Sequence, residues 1–320
     1  MARTDLQRTA TPDVTTGSWP DASGRRSPAL ALIVSLRPHQ WTKNLLVFAP
    51  LLFAVKLFDP VSVARALGGF AVFCALSSVV YLINDVMDRE ADRQHPRKRF
   101  RPIAAGEVAV TTALGLAAAL ALAALGGALL LDWRFAAVAA LYLTLQTLYS
   151  THLKHIVILD ALTLSSGFVL RAMAGAVVID VYISHWLFVC TILGALFIAL
   201  AKRRHELVLL AGGAASHRPI LDEYSAYLLD QMIAVVTAST LIAYIFYTIS
   251  PETEQKFGTS WLGLTIPFAI YGIFRYLYLV HQREEGGSPS DLLLNDRPLL
   301  ACVTLWVIAV VLIIYHPFVP

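Results

Sequence analysis

The sequence predicts an all-α polytopic membrane protein, a bundle of nine transmembrane helices whose site faces the cytoplasm. Three observations carry that reading. Of its 320 residues 57% are hydrophobic and only 15% charged, a balance that soluble domains do not show. The apolar residues fall into nine runs, 45–57, 61–83, 110–131, 135–149, 156–179, 186–201, 232–249, 261–280 and 299–315, several shorter than the usual ~20 residues of a span. Lys and Arg gather on alternate connections. With the N-terminus in the cytoplasm, only Lys56, Arg65, Arg134 and Lys256 fall on the far side, and Arg171 lies within a span.

Taken in order, residues 1–28 are rich in Thr, Ser, Arg, Asp and Pro, have no apolar core, and read as a disordered cytoplasmic tail rather than a signal peptide. Residues 29–320 form the membrane domain. A short apolar stretch, 29–36, leads into an interfacial segment, 37–44, with Trp41 expected at headgroup depth and Arg37 and Lys43 facing phosphates. The second run can continue as one helix to about Gln94, because Pro96 gives the first clear stop. At 1.5 Å per residue that helix is roughly 50 Å long, so its last turns stand at or above the surface of a ~30 Å hydrocarbon core. The third and fourth runs form a hairpin turning at 132–134. Asp160 opens the fifth, either as a buried carboxylate at a helix start or, with Lys154, as part of a site. Arg171 either pairs with a buried carboxylate or lines a wet cavity. Lys202, Arg203 and Arg204 end the sixth run. A longer segment follows to Asp230, containing Gly212, Gly213 and the amphipathic stretch 221–227, and reads as a lid on the membrane surface. The last loop carries Asp291, Asp296 and Arg297, and Cys74, Cys190 and Cys302 all lie in apolar runs as small buried hydrophobes.

The chemistry concentrates in residues 84–106. Asn84, Asp85, Asp88 and Asp92 share one helical face within an arc of about 100°. Converging carboxylates repel one another and are costly to desolvate, so the stripe is best explained by a hard cation with oxygen ligands, for which Mg²⁺ is the natural candidate. Arg97, Lys98, Arg99 and Arg101 then supply positive charge ahead of Pro102 and Gly106. Acid, metal and base together suit a diphosphate. A transporter needs polar groups through the bilayer, whereas the ionisable residues here gather at one face with only Arg171 clearly deep.

These residues resemble the UbiA-type intramembrane prenyltransferase superfamily. The likeness rests on Asn84-Asp85-x-x-Asp88-x-x-x-Asp92 followed by the basic stretch to Gly106. Within it, Arg37-Pro38-x-Gln40-Trp41-x-Lys43-Asn44, the run 95–106 and Lys202-Arg203-x-x-Glu206-Leu207 are similar to the decaprenyl-phosphate phosphoribosyltransferase branch, as are Asp291 and Asp296-Arg297. Most members carry a second aspartate-rich motif between the fourth and fifth spans. This chain offers only Lys154 and Asp160 there, a departure that agrees with the phosphoribosyl branch.

The resemblance implies an Mg²⁺-dependent enzyme of a bacterial plasma membrane. It would move a 5-phosphoribosyl group from phosphoribosyl pyrophosphate to a polyprenyl (decaprenyl) phosphate in cell-wall arabinan precursor synthesis. The alternative is prenyl transfer from a prenyl diphosphate to an aromatic acceptor. Asp85, Asp88 and Asp92 are expected to hold Mg²⁺ and pyrophosphate, with Asn84 orienting a ribose hydroxyl or a metal-bound water. Lys98, Arg101, Lys154, Lys202 and Arg203 are candidates for the two phosphate ends of the donor, and Arg37, Lys43 and Arg171 for the lipid phosphate. No nucleic-acid partner is expected, and assembly with further copies is left open.

Overall fold

The computed structural model describes residues 26–96, 98–211, 219–282, 292 and 295–315. Residues 1–25 of the expected N-terminal tail, the basic residue Arg97, the Gly212-Gly213 pair and Asp291 lie outside the described residues, while the last tail residues are ordered, Arg26 on Glu107 at 2.8 Å and Pro28 at a helix start. Among the described residues every regular element is helical, and seven helices are long and apolar enough to cross a membrane.

Helix α1 (Pro28–Ser35) is capped by the Ser27 side chain and leads into a 3₁₀ stretch, Pro38–Phe48, and then short α2 (Ala49–Phe53). The first apolar run is therefore not one helix. Pro38 and Pro50 lack N–H groups, and the buried Asn44 turns a polar side chain into the bundle. The stretch is sunk against the bundle: a Cβ on Gly175 would lie 2.1 Å from the Val47 carbonyl oxygen, so only glycine allows this approach. Trp41, expected among headgroups, donates its indole N–H to Ser78 Oγ at 3.1 Å.

Helix α3 (Pro60–Met87) starts with Asp59 accepting from the Ser62 N–H and Pro60 in its first turn. It was expected to run to Gln94, but it ends at Met87 and restarts as α4 (Arg89–Gln94). Asp88 sits between them at φ −87°, ψ 4°, while its N–H still reaches the Asn84 carbonyl at 2.8 Å. Contacts on both carboxylate oxygens of Asp88 hold this break, and beyond it Asp92 turns inward.

Helices α5 (Val110–Leu131) and α6 (Trp133–Thr151) form the expected hairpin. Asp132 alone separates them, accepting from the N–H groups of Arg134 at 2.6 Å and Phe135 at 3.3 Å. Then follow α7 (Leu159–Val178), α8 (His185–Ala211), α9 (Ala226–Ile249), α10 (Pro251–Phe257), α11 (Ile266–Gln282) and α12 (Arg297–Tyr315). Asp296 caps the last, accepting from the Leu299 N–H at 2.8 Å, and pairs with Arg275 at 2.8 Å, so its role is to fasten α11 to α12.

Helix α7 is the shared wall of two packed bodies. Leu170, Ala174 and Val178 join the core built on Phe73, Phe135 and Tyr142. Ala161 near its start joins the core of α8, α9 and α11. Substituting Gly175→Ala is expected to cost about 1–3 kcal/mol, because the facing backbone must retreat. Gly194→Ala, which meets open space, is the control. Thermal unfolding in detergent checks this, and equal melting temperatures would rule out the close approach.

Candidate active site

At the end of the bundle where α3 breaks, the three aspartates each meet a cation from a different part of the chain. Asp85 is 2% exposed and pairs with Arg37 as well as with Arg101 Nη1, the latter at 3.2 Å. The same Arg101 nitrogen lies 2.5 Å from Asp92 Oδ2. Lys154 Nζ contacts Asp88 Oδ1 at 2.8 Å, and the Asn84 amide donates to Asp88 Oδ2 at 3.0 Å.

Local structure aims each cation. Arg37 is left-handed, at φ 53°, ψ 60°, a conformation that costs roughly 1 kcal/mol or more for a non-glycine residue. Its guanidinium is held over the Tyr81 ring at 5.0 Å and against Asp85. Arg101 precedes a tight turn that Gly106 closes at φ 77°, and Arg93 Nε ties that turn to α4 through the Ala104 carbonyl at 3.0 Å. Lys154 sits on the 3₁₀ turn Leu153–His155 between α6 and α7. Burial pushes the Asp92 carboxyl above its ordinary pKa, and the Arg101 charge pulls it back.

Other expected site residues sit elsewhere. Lys43 and Lys98 are on the segments that carry Arg37 and Arg101, Lys43 partly buried and Lys98 exposed. Lys202 faces Glu206 of its own helix at 3.9 Å. Asp160 and Arg203, expected near the donor, are both fully buried and oppose each other, Arg203 Nε at 2.5 Å from Asp160 Oδ2. Arg203 also pairs with Glu206 and donates to Tyr149 Oη at 2.9 Å, so its charge is taken up inside the protein. Of the stretch expected as a lid, Ile220, Leu221 and Tyr224 are packed down here. Tyr224 donates to Asp160 Oδ1 at 2.7 Å and accepts the Ile158 N–H at 2.7 Å, with burial and Asp160 pushing its hydroxyl up to about 12. Ile158 has φ 68°, ψ −45°, the centre of a γ-turn closed by the Leu159 N–H on the Val157 carbonyl at 2.8 Å, unusual for a β-branched residue, and the Tyr224 bond holds it there.

Arg171 is held by neutral groups rather than by a carboxylate. It is 6% exposed and, among the described residues, no carboxylate lies within ion-pair distance. Its Nε donates to Asn44 Oδ1 at 2.6 Å, Nη1 to the Gly167 carbonyl at 2.7 Å and Nη2 to Tyr142 Oη at 2.7 Å. It therefore braces the 3₁₀ stretch that carries Arg37. Asn44, Tyr81 and Tyr224 escaped sequence reasoning. For Tyr81 a signal was present: it stands four residues before Asp85, on the same helical face.

The aspartate set fits a hard divalent cation by donor type, being carboxylate oxygens on one face, and the poorly solvated Asp92 would gain from a cation. In the structure Arg37, Arg101 and Lys154 take up those oxygens. Among the described residues no three acidic, His or Cys side chains converge into a ready metal cage.

Known proteins share both sequence and fold. The UbiA prenyltransferase family matches residues 45–294. A decaprenyl-phosphate phosphoribosyltransferase of Mycolicibacterium smegmatis is 38% identical over 90% of this chain and 93% of that protein. The Corynebacterium glutamicum protein of the same name is 34% identical, covering 97% and 96%. A UbiA homolog from Archaeoglobus fulgidus, solved with GPP and Mg²⁺, superposes with a TM-score of 0.69 at 19% identity over 89% of this chain and 99% of that one, which shows a common fold. A match over most of the chain, with relatives above 30% identity along nearly their whole length, establishes that this chain belongs to the UbiA prenyltransferase family.

Proposed function

We propose that this protein transfers a 5-phosphoribosyl group from phosphoribosyl pyrophosphate to a polyprenyl phosphate, decaprenyl phosphate in the first instance, and releases pyrophosphate. The observation that carries the reading is Lys154 on Asp88, at 2.8 Å. A cation stands where prenyl transfer would call for further carboxylates, and it suits a substrate phosphate held by direct charge. The names of the relatives support the same chemistry. The site lies on the cytoplasmic side of a bacterial plasma membrane, and α6 with the Pro38–Phe53 region completes nine crossings.

In the reaction an oxygen of the lipid phosphate attacks the anomeric carbon of the donor ribose. The new C–O bond forms as the bond to pyrophosphate breaks, and both electrons of that bond leave with pyrophosphate. The nucleophile is already ionised near neutral pH, so the protein supplies position and charge rather than a strong base. Asp85, Asp88 and Asp92 would hold Mg²⁺, which when bound supplies neutralising charge to the pyrophosphate oxygens. Arg101 and Lys154 turn from the aspartates to donor phosphates, with Lys98 at the rim. Arg37 and Lys43, on the membrane-side segment, meet the lipid phosphate. Asn84 keeps Asp88 oriented. Asp160, Arg203 and Tyr224 act through the turn that carries Lys154, and Arg171 through the stretch that carries Arg37.

Label from phosphoribosyl pyrophosphate is expected to enter decaprenyl phosphate with purified protein and Mg²⁺, and to stop with excess chelator. Folded protein that gives no labelled lipid, but transfers a prenyl group to an aromatic acceptor, would replace this reading with its rival. Asp85→Asn and Asp88→Asn are each expected to lower turnover by about 10²-fold or more, the scale of losing a key electrostatic group. Steady-state rates on folded variants check this, and normal rates in both would refute the site. Tyr224→Phe is expected to raise the KM for phosphoribosyl pyrophosphate several-fold by releasing the Lys154 turn, with the lipid KM unchanged. KM values equal to wild type for both substrates would show that the clasp does not position Lys154.

A further inference from the structure

Below the aspartates, α3 continues a polar line into the bundle. Ser77, Tyr81 and Asp85 are spaced four residues apart and stack on one face. An arginine stands at each end. Arg37 lies over the Tyr81 ring at 5.0 Å and pairs with Asp85. Arg171 Nη2 approaches Ser77 Oγ at 3.3 Å, its charge met only by neutral groups among the described residues. Tyr81 lies between them: Tyr142, Arg171, Arg37 and Asp85 are the titratable groups that act on it.

Within this line the Tyr81 hydroxyl is exceptional. The Tyr142 hydroxyl bonds Arg171 and approaches Ser77 Oγ at 3.3 Å, and the Ser77 hydroxyl also reaches Asn44. Tyr81 is partly exposed, and its hydroxyl has no hydrogen-bond partner among the described residues. A phenol O–H that bonds no protein group, on a ring stacked by a guanidinium, is available to donate, and its natural complement is an anion. The donor reaches the aspartates from water, whereas an acceptor phosphate on a lipid tail must reach them from the hydrocarbon side. Tyr81 is the first side chain below Asp85 on that face.

Resting on the phosphoribosyl reading, we infer that the Tyr81 hydroxyl donates a hydrogen bond to the phosphate of the lipid acceptor, beside the Arg37 guanidinium stacked on its ring. The bond fixes the attacking phosphate one helical turn beneath Asp85. The ring face stays against the Arg37 guanidinium, so the hydroxyl can be removed without disturbing that stack.

The test is Tyr81→Phe, assayed for label transfer with both substrates varied, beside wild type and Ser77→Ala. Because the hydroxyl bonds no protein group, the Phe variant is expected to melt at the wild-type temperature. Its KM for polyprenyl phosphate is expected to rise about tenfold, the scale of one hydrogen bond to a charged group. Its KM for phosphoribosyl pyrophosphate should stay within about twofold, by the same reasoning that confines the loss to one bond. Ser77→Ala, which takes a bond from Asn44 and from Arg171, should lower the melting temperature, the mark of a structural loss that Tyr81→Phe does not show. Unchanged KM values in Tyr81→Phe, an equal rise in both, or a lower melting temperature would overturn the inference. Wild-type protein that transfers no label would instead remove the phosphoribosyl reading, and this inference with it.

Discussion

The constraint on which the site depends is that Asp85, 2% exposed, cannot stand alone. A buried carboxylate without a partner loses its hydration and gains nothing, so it neutralises or is answered. Here it is answered from both directions along the chain. Arg37 comes from 48 residues before it and Arg101 from 16 residues after it. Each cation needs its own support, which explains the left-handed backbone at Arg37, the turn closed by Gly106 and the bracing of the 3₁₀ stretch by Arg171. Charge at one point thus dictates backbone shape at several others.

The buried pair of Asp160 and Arg203 follows the same rule with a different outcome. Both are sealed from solvent, and Tyr224, Glu206 and Tyr149 take up their remaining valences. Such a pair contributes little net stability over apolar residues of the same size, but removing one member is severe. Its value here is geometric, since it fastens the last turns of α8 to the start of α7, directly beyond the turn that bears Lys154.

What the sequence made legible was local. The i, i+4 face of Asn84, Asp85, Asp88 and Asp92, the hairpin at Asp132 and the long apolar helices are all set by neighbours within a few residues, so periodicity exposes them. The pairings were not legible, because Lys154 meets Asp88 across 66 residues and Arg171 meets Asn44 across 127. Lys202 and Arg203 read as partners for the donor phosphates, since nothing in their own stretch of sequence reveals a carboxylate facing Arg203. The break at Asp88 was hidden for the same reason: long-range contacts on its side chain stop the helix, not a proline or glycine. Tyr81 passed as one more aromatic in an apolar run.

The single-residue turn at Asp132 couples two helices. With one residue between them, neither α5 nor α6 can shift far along its axis without the other. The tip of that pair carries Asp132 and Arg134, which neutralise each other at 3.1 Å. Arg134 also meets Asp180 at 3.0 Å, so the tip of the hairpin is tied to the segment that follows α7.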